Sequence, residues 1–462
     1  MSAIQNISVW KPYQLFIFRV AFIFFILLSI PLSLNYYSTV FSLNWLDLGY
    51  RDLTNMGRFS PNLVNIDTES GRWGIASYAD YAILLGIGLV GGAVWSLFDR
   101  RSKNYNLLYY WLRVIVRYRI AIGMIEFGFV KVFLIQMPEA PLATLHTHFG
   151  DISAQKLYWL SVGVVPWYEI TLGFVEVIAG FLVFFRKTTL PGALLTAAAS
   201  ANIVYINFAY DGGVHVYSTY FVILAAFLLV PYVPEYYRLL VKEENVVPVR
   251  YYPVFKKPGI RIVRLVLKTG IIFLFVGVLA YLHVQNRKHR PFIKEPITAG
   301  IPGTRGYYEV AEFRLNGQLL PYDPQDSVRW HDAILEKYST ISFKLNKPVK
   351  LNLSNGVPQK KDVDRSWELT GTAGGRQYYY YDADTVSKVL KLYNKNKASE
   401  GARKPGQGAR KKNKPEKQEQ PDYVLNYSRP GAGTIILQGS YKSKDSVYIK
   451  LIKVSKVYAL KQ

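Results

Sequence analysis

The sequence predicts a polytopic α-helical membrane bundle of about seven transmembrane helices, followed by a small, mainly antiparallel β domain. Two patterns indicate this fold class. Long apolar runs recur between residues 13 and 283 of the 462-residue chain, and a run of about 20 apolar residues is long enough to span a bilayer. From Ile297 onward the apolar residues instead recur at every second position, which is typical of half-buried strands.

The apolar runs place the spans, and the charges between them predict the orientation. We expect spans at residues 13–34, 78–98, 118–137, 167–185, 189–208, 216–233 and 266–283. The loops after the second, fourth and sixth spans are basic, and short basic loops stay in the cytoplasm. The N-terminus is therefore expected in the cytoplasm. Residues 1–296 then form the transmembrane domain, and residues 297–462 form an extracytoplasmic, β-sandwich-like domain.

Alternating segments and turn residues predict the strands of the C-terminal domain. Asn316-Gly317 between two alternating runs is typical of a type I′ hairpin. Further strands are expected at residues 342–353, 366–372, 376–381, 423–427, 433–439 and 446–460, whereas residues 385–393 fit either a strand or a short helix. The simplest architecture is an antiparallel sandwich or barrel. Residues 395–422 are rich in lysine, glycine and proline, so we expect a disordered insertion there.

The overall composition excludes several classes of function. The formal net charge is +24, but much of the charge lies in loops between spans, where topology and anionic headgroups explain it better than nucleic acid does. The chain contains no cysteine. Disulfides, thiol catalysis and cysteine-ligated metal centres are therefore excluded. Any redox role needs a bound cofactor or a substrate quinone instead.

Charged residues lie inside two consecutive apolar runs, where they are costly and usually mark a site. Residues 118–137 contain Arg119, Glu126 and Lys131, and Arg119, Gly123 and Glu126 share one helical face. Residues 167–185 carry a single stripe of alternating carboxylate and glycine, consisting of Glu169, Gly173, Glu176 and Gly180. Small residues allow close helix approach, so we expect the two stripes to pack together.

The stripes define a candidate polar core of Glu126, Lys131, Glu169 and Glu176, in which we expect Lys131 to pair with Glu169. Such a core would bind a quinone headgroup or relay protons. The alternative is a structural clamp that only sets the helix register. Arg119 lies near the cytoplasmic end of its run, where we expect its side chain to snorkel to the headgroups.

Further polar residues lie in the loops. Asn207, Asp211 and His215 flank the turn between the fifth and sixth spans and are candidates, with Arg119, for substrate binding, although Asp211 also fits a turn residue before glycine. His146 and His148 precede the fourth span, but their spacing matches no zinc pattern. We therefore expect no metal site.

Three motifs carry a family resemblance. Arg119, Gly123 and Lys131 follow an Arg-x3-Gly-x7-Lys spacing, residues 169–180 form a glutamate–glycine helix, and residues 206–218 contain an Asn-Phe-x-Tyr-Asp turn. In these motifs residues 107–233 resemble the DoxX family, bacterial membrane proteins related to the DoxD subunit of thiosulfate:quinone oxidoreductase. Gly213 and His215 stand where the family pattern prefers proline and lysine.

The resemblance implies a protein of the bacterial inner membrane and a quinone- or lipid-linked redox component, with quinone as the candidate cofactor or substrate. Such a chain would serve as an oxidoreductase subunit among membrane lipids. The alternative is a non-enzymatic envelope assembly protein that binds an envelope partner through residues 297–462. Nucleic acid is not an expected partner, and both hypotheses stay open at this point.

Overall fold

The computed structural model of the protein describes residues 9–64, 78–247, 251–289, 291–396 and 420–461. The chain divides into two compact units. The helical unit comprises Met1–Phe133 and Ile170–His289, and the barrel unit comprises Leu134–Glu169 and Arg290–Gln462. The segment between the third and fourth spans thus belongs to the same unit as the strands.

The helices of the helical unit follow the apolar runs closely. They are α1 Pro12–Ser29, α2 Leu34–Phe41, α3 Tyr50–Gly57, α4 Ala79–Phe98, α5 Asn106–Val132, α8 Pro166–Val183, α9 Thr189–Ala209, α10 His215–Leu229, α11 Val233–Leu240, α12 Pro258–Ile272 and α13 Leu279–Lys288. Proline stands at the first position of α1, α8 and α12, where its missing N–H costs no hydrogen bond. A π-helical stretch, Phe273–Val278, joins α12 to α13.

Six helical segments among the described residues are long and apolar enough to cross a membrane. They are Pro12–Ser29, Ala79–Phe98, Pro166–Val183, Arg186–Ala209, His215–Leu240 and Pro258–Lys288. Helix α5 is also long enough, at 27 residues, but carries more charge. The expected multi-pass helical bundle is confirmed.

Helix α5 lies at the centre of the helical unit. Leu112, Val116 and Ile120 recur at four-residue spacing on it and are fully buried. They pack in one cluster with Tyr220 and Leu224 of α10. One apolar face of α5 therefore holds the bundle together, which leaves its other positions available for polar residues.

The strands of the barrel unit form one antiparallel sheet. They are β1 Gly306–Leu315, β2 Gln318–Leu319, β3 Asp332–Leu335, β4 Thr340–Lys344, β5 Arg376–Asp384, β6 Val389–Asn394, β7 Tyr423–Gly431, β8 Thr434–Tyr441 and β9 Asp445–Lys453. Strand β1 pairs with β3 and also with β9, so eight strands close on themselves and β2 extends β1 as a hairpin. The expected antiparallel β domain is confirmed, but as a barrel and not as two packed sheets. Closure pairs both edge strands, which would otherwise expose backbone groups.

Local turn chemistry explains where the predicted strands hold and where they fail. Asn316 and Gly317 have φ values of 51° and 82°, as a type I′ turn requires, so the predicted hairpin is confirmed. Residues 366–372 form no strand, because the Ser366 carbonyl accepts hydrogen bonds from the N–H groups of Leu369 and Thr370 in a turn. Strand β4 ends at Lys344, well before residue 353.

The start of the expected insertion is ordered. Lys395 is fully buried and its Nζ lies 2.8 Å from a carboxylate oxygen of Glu368. The prediction of disorder is wrong at this residue, because a buried carboxylate holds the lysine in place. Residues 397–419, the rest of the tract up to Gln420, lie outside the described residues.

Two short helices complete the barrel unit, α6 Leu142–Leu145 and α7 Ala154–Gly163. The Glu336 carboxylate accepts hydrogen bonds from the backbone N–H groups of Leu142 and Ala143, at 3.0 and 2.8 Å. Ile152 and Thr372 form an isolated β-bridge. These bonds explain why the segment expected to be a plain loop belongs to this unit.

Candidate functional site

Glycines bring α5 and α8 together, as the stripes predicted. A Cβ atom built on Gly128 would lie 2.6 Å from the Gly173 carbonyl oxygen, and one on Gly173 would lie 2.7 Å from that of Gly128. Farther along, a Cβ on Gly180 would lie 2.8 Å from the Ala121 carbonyl oxygen. Backbones this close leave room only for glycine, so the polar residues beside them meet at short range.

Lys131 pairs with Glu176 between these helices. Its Nζ lies 2.8 and 2.7 Å from the two carboxylate oxygens of Glu176, and both side chains are buried. The expected pairing of Lys131 with Glu169 is therefore wrong. The reason is side-chain direction: helical Cβ atoms tilt toward the N-terminus. On antiparallel helices Lys131 and Glu176 lean toward each other, whereas Glu169 leans away toward the start of α8.

Glu169 has a different role in the barrel unit. It is 1% exposed, and its Oε1 accepts a hydrogen bond of 3.0 Å from the backbone N–H of Met137. Its carboxylate thus holds the chain just after α5. Of the candidate polar core, the fold therefore brings Lys131 and Glu176 into contact, whereas the Glu169 carboxylate bonds the backbone instead.

Glu126 is fully buried and binds Arg58. The Arg58 Nη2 lies 2.5 Å from Oε1 and Nε lies 3.4 Å from Oε2. The Arg58 guanidinium also stacks 4.6 Å from the centre of the Phe127 ring. Arg58 follows α3 and was not singled out in the sequence, although a buried mid-helix carboxylate calls for a cation somewhere in the polar segment of residues 35–77.

Arg119 does not snorkel, contrary to the expectation. It is 4% exposed. Its Nε donates to the Tyr220 hydroxyl at 2.8 Å, and its Nη2 donates to the Phe59 carbonyl at 2.6 Å and the Tyr217 hydroxyl at 3.1 Å. The guanidinium stacks 4.0 Å from the Phe59 ring centre. Interior hydrogen bonds thus replace the water or headgroups that snorkelling would reach.

The hydrogen-bond partners of Arg119 among the described residues are all neutral. Its Nη1 is buried and makes no hydrogen bond with any residue that the structure describes. A buried donor without an acceptor costs about 1–3 kcal/mol. We call Arg58, Arg119, Glu126, Tyr217 and Tyr220 the arginine–tyrosine site. Within this site, the Nη1 group of Arg119 can therefore donate to an acceptor oxygen from outside the described chain.

Tyr217 and Tyr220 were also missed by the sequence reasoning. They lie three residues apart on α10 and so share a helical face. Their spacing was a usable signal, because phenol hydroxyls inside a span need hydrogen-bond partners. The Tyr220 hydroxyl donates onward to the Leu28 carbonyl at 2.6 Å.

Asn207, Asp211 and His215 come together at the turn between α9 and α10. The Asn207 side chain bonds the backbone on both sides, donating to the Ile203 carbonyl and accepting from the Val214 N–H. Asp211 has a φ of 50°, and Gly213 has a φ of 78°. His215 is 1% exposed and stacks near Phe208. The positive φ of Asp211 supports the turn-forming alternative for that residue, and the predicted substrate contact of the three residues stays a prediction.

The histidines expected in a loop lie in the barrel unit. His146 stacks on Tyr307, with 4.0 Å between ring centres, and its Nε2 lies 2.7 Å from the Tyr458 hydroxyl. Burial, helped by Lys456 and Arg376, lowers the pKa of His146 from 6.5 to about 4. No group of three His, Cys, Asp or Glu residues among the described residues is placed to hold a metal ion.

The fold and site together define a class: a multi-pass membrane protein with the buried Lys131–Glu176 ion pair between two of its helices and a second compact unit built on an antiparallel barrel. No family model and no solved structure matches the chain. The chain is similar to the Uncharacterized protein YwoB of Bacillus subtilis (strain 168). The two are 28% identical over 110 residues, which make up 24% of this chain and 70% of that protein.

Proposed function

We propose that the protein is a DoxX-type component of the bacterial inner membrane, and that its helical unit binds the polar headgroup of a quinone, or of a lipid, at the arginine–tyrosine site. In this proposal the N-terminus is cytoplasmic and the barrel unit is extracytoplasmic. The family motifs of the sequence support the quinone, and the buried cluster supports the site.

The single observation that carries the proposal is the buried Arg119 guanidinium with its Nη1 donor unused among the described residues. Quinone carbonyls and lipid esters or phosphates are acceptors only, so they suit a site that presents arginine and phenol donors. Beside it, the Glu126 carboxylate, which Arg58 holds in an ion pair, can accept a proton from a reduced quinone. Without cysteine the chain provides no thiol or iron–sulfur centre of its own, so the electrons would be exchanged with a partner subunit or a diffusible cofactor.

The test measures what is bound to the full-length protein purified in mild detergent. Arg119→Gln and Glu126→Gln are compared with the wild type, and extracted quinone is quantified per protein chain. We expect Arg119→Gln to lower bound quinone about tenfold, since a charged hydrogen bond contributes about 1.5–3 kcal/mol.

The matched controls are Arg238→Gln and Glu244→Gln. These residues form an exposed ion pair of 2.7 Å outside the site, so the same charges are removed without touching the cluster. Equal quinone content in the wild type, the Arg119 variant and the controls would contradict the proposal. So would a wild type that carries neither quinone nor a tightly held lipid.

A second candidate function is an envelope protein that binds a partner through the barrel unit. An open groove in this unit favours it, because two histidines, two tyrosines and two lysines converge there: His148, Tyr307, Tyr322, His331, Lys344 and Lys347. Tyr322→Ala with Lys347→Glu should abolish partner binding in cross-linking experiments if this function is the main one. Under the quinone proposal, the same double variant keeps its full quinone content.

A further inference from the structure

A second charged cleft lies in the helical unit, distinct from the arginine–tyrosine site. Its walls come from the first half of α5, the turn after α8 and the chain around Tyr232 and Tyr252. The cleft has a volume of about 60 Å³, which suits a small polar group and not a drug-sized molecule. Three arginines and five tyrosines line it: Arg113, Arg117, Arg186, Tyr109, Tyr110, Tyr232, Tyr251 and Tyr252.

The fold holds each of the three arginines in place. Arg117 is 8% exposed, and its Nε and Nη2 donate to the carbonyls of Val183 and Phe184, at 2.9 and 2.7 Å. It therefore caps the C-terminal end of α8. The Arg113 guanidinium lies 5.5 Å from the Tyr232 ring centre, and that of Arg186 lies 3.9 Å from the Tyr252 ring centre.

The cleft has cations without carboxylates. Among the described residues that line it, none is acidic, and none of the three arginines forms an ion pair with a described carboxylate, whereas Lys131 and Arg58 do. Like charges held close together repel one another, and more strongly when they are partly buried. A bound anion would relieve that repulsion.

We propose that this cleft, which we call the arginine cleft, binds a phosphoryl anion, supplied by the headgroup of an anionic phospholipid. Planar guanidinium groups match phosphoryl oxygens in paired hydrogen bonds, and tyrosine hydroxyls add donors at the rim. The proposal does not depend on quinone binding, since it uses none of the residues of the arginine–tyrosine site.

The setting of the arginine cleft favours a lipid over free phosphate. Trp111 and Leu107, on α5 beside Arg113, are 38% and 48% exposed. Exposed aromatic and aliphatic side chains next to cations are typical of the membrane interface. Arg186 lies in the basic loop after α8, and Arg113 and Arg117 lie in the first half of α5, which follows the basic loop after α4. The charge rule places both loops in the cytoplasm, where anionic lipids attract cations by about 1 kcal/mol each.

The test compares two double variants that remove the same charge. Arg113→Gln/Arg186→Gln empties the cleft of two cations and leaves the helix cap Arg117 intact. Arg100→Gln/Arg101→Gln removes two exposed arginines of a neighbouring basic loop. Native mass spectrometry of the full-length protein in detergent measures binding of dioleoyl phosphatidylglycerol, with dioleoyl phosphatidylcholine as the zwitterionic comparison.

We expect the wild type to retain phosphatidylglycerol more tightly than phosphatidylcholine. The cleft variant should lose about thirtyfold in that affinity, at about 1 kcal/mol for each of its two arginines, and the loop variant less than about twofold. Arg113→Lys/Arg186→Lys, which keeps the charge but not the planar fork, should fall between them. The thermal midpoint of each variant identifies any loss that comes from unfolding.

Three results would overturn the proposal. Equal losses in the cleft and loop variants would show that net charge alone attracts the lipid. Equal retention of the two lipids by the wild type would show that no anion site exists. Displacement of phosphatidylglycerol by millimolar inorganic phosphate would make free phosphate the source of the anion instead of a lipid.

Discussion

His146 illustrates how one half-buried side chain couples the barrel unit to pH. It stacks on Tyr307 and meets the Tyr458 hydroxyl, in a place where burial and two nearby cations oppose its protonation. The folded state therefore holds its imidazole neutral down to a pKa of about 4, below the ordinary value of 6.5. Between these two values the unfolded chain takes up the proton first, so stability falls as the pH falls.

We predict that His146→Phe reduces this loss of stability. Phenylalanine keeps the ring stack on Tyr307 but cannot be protonated. Between about pH 7 and pH 4 the free energy of unfolding of the wild type should fall by about 1 kcal/mol more than that of the variant. This value is smaller than the full pKa shift would give, because His146 is only half-buried and solvent screens its charge. Denaturant midpoints of the full-length protein at the two pH values measure the difference, and parallel pH profiles would count against the assignment.

At the scale of elements, the contact between α5 and α8 is set by glycine and by the direction of the side chains. The Gly128 and Gly173 backbones touch, and Lys131 and Glu176 close over that contact from either side. Taking one partner away leaves a buried charge without compensation, which is costly. The pair therefore fixes how far the two helices can slide.

A double-mutant cycle tests this pair. We predict that Lys131→Met and Glu176→Gln each destabilise the detergent-solubilised protein, and that the double variant loses less than the sum by about 0.6–2 kcal/mol. Lys131→Met combined with Glu169→Gln serves as the control cycle and should be additive, because Glu169 bonds the Met137 N–H. Additive losses in both cycles would show that Lys131 and Glu176 are not energetically coupled.

At the scale of the whole molecule, the number of spans decides on which side the barrel unit lies. Six segments of the described chain meet the length and hydropathy of a span, and α5, with 27 residues and more charge, would be the seventh. An odd number places the two ends of the chain on opposite sides of the membrane. With seven spans and a cytoplasmic N-terminus, Arg287 and Lys288 at the end of α13 would lie outside the cytoplasm, against the charge rule, whereas the basic loops after the second, fourth and sixth spans would agree with it.

We predict that alkaline phosphatase fused after Gln462 is active, because that enzyme works only outside the cytoplasm. A fusion after Lys242, in the basic loop that follows α11, should be inactive and serves as the control. An inactive C-terminal fusion together with an active Lys242 fusion would mean either that α5 does not cross the membrane or that the whole orientation is inverted. Two inactive fusions would mean that Pro258–Lys288, which lies between the two fusion points, does not cross the membrane.

The fold class and much of the local structure followed from the sequence by itself. Apolar runs and two-residue alternation are local properties, so they located the helices, the Asn316-Gly317 hairpin and the glycine stripes that pack α5 against α8. A helix period and a turn type need only neighbouring residues to be specified. For the same reason the charged positions inside the spans could be singled out in advance.

Only the tertiary structure decided which of those charges meet. Arg58 binds Glu126, which lies 68 positions away in the sequence, and Lys131 pairs with Glu176 and not with Glu169. Strand β1 closes the barrel by pairing with β9. Each of these depends on the path of a connecting segment, on helix register or on the direction in which a side chain leans. A local pattern contains none of this information, because the same residues could satisfy it in several long-range arrangements.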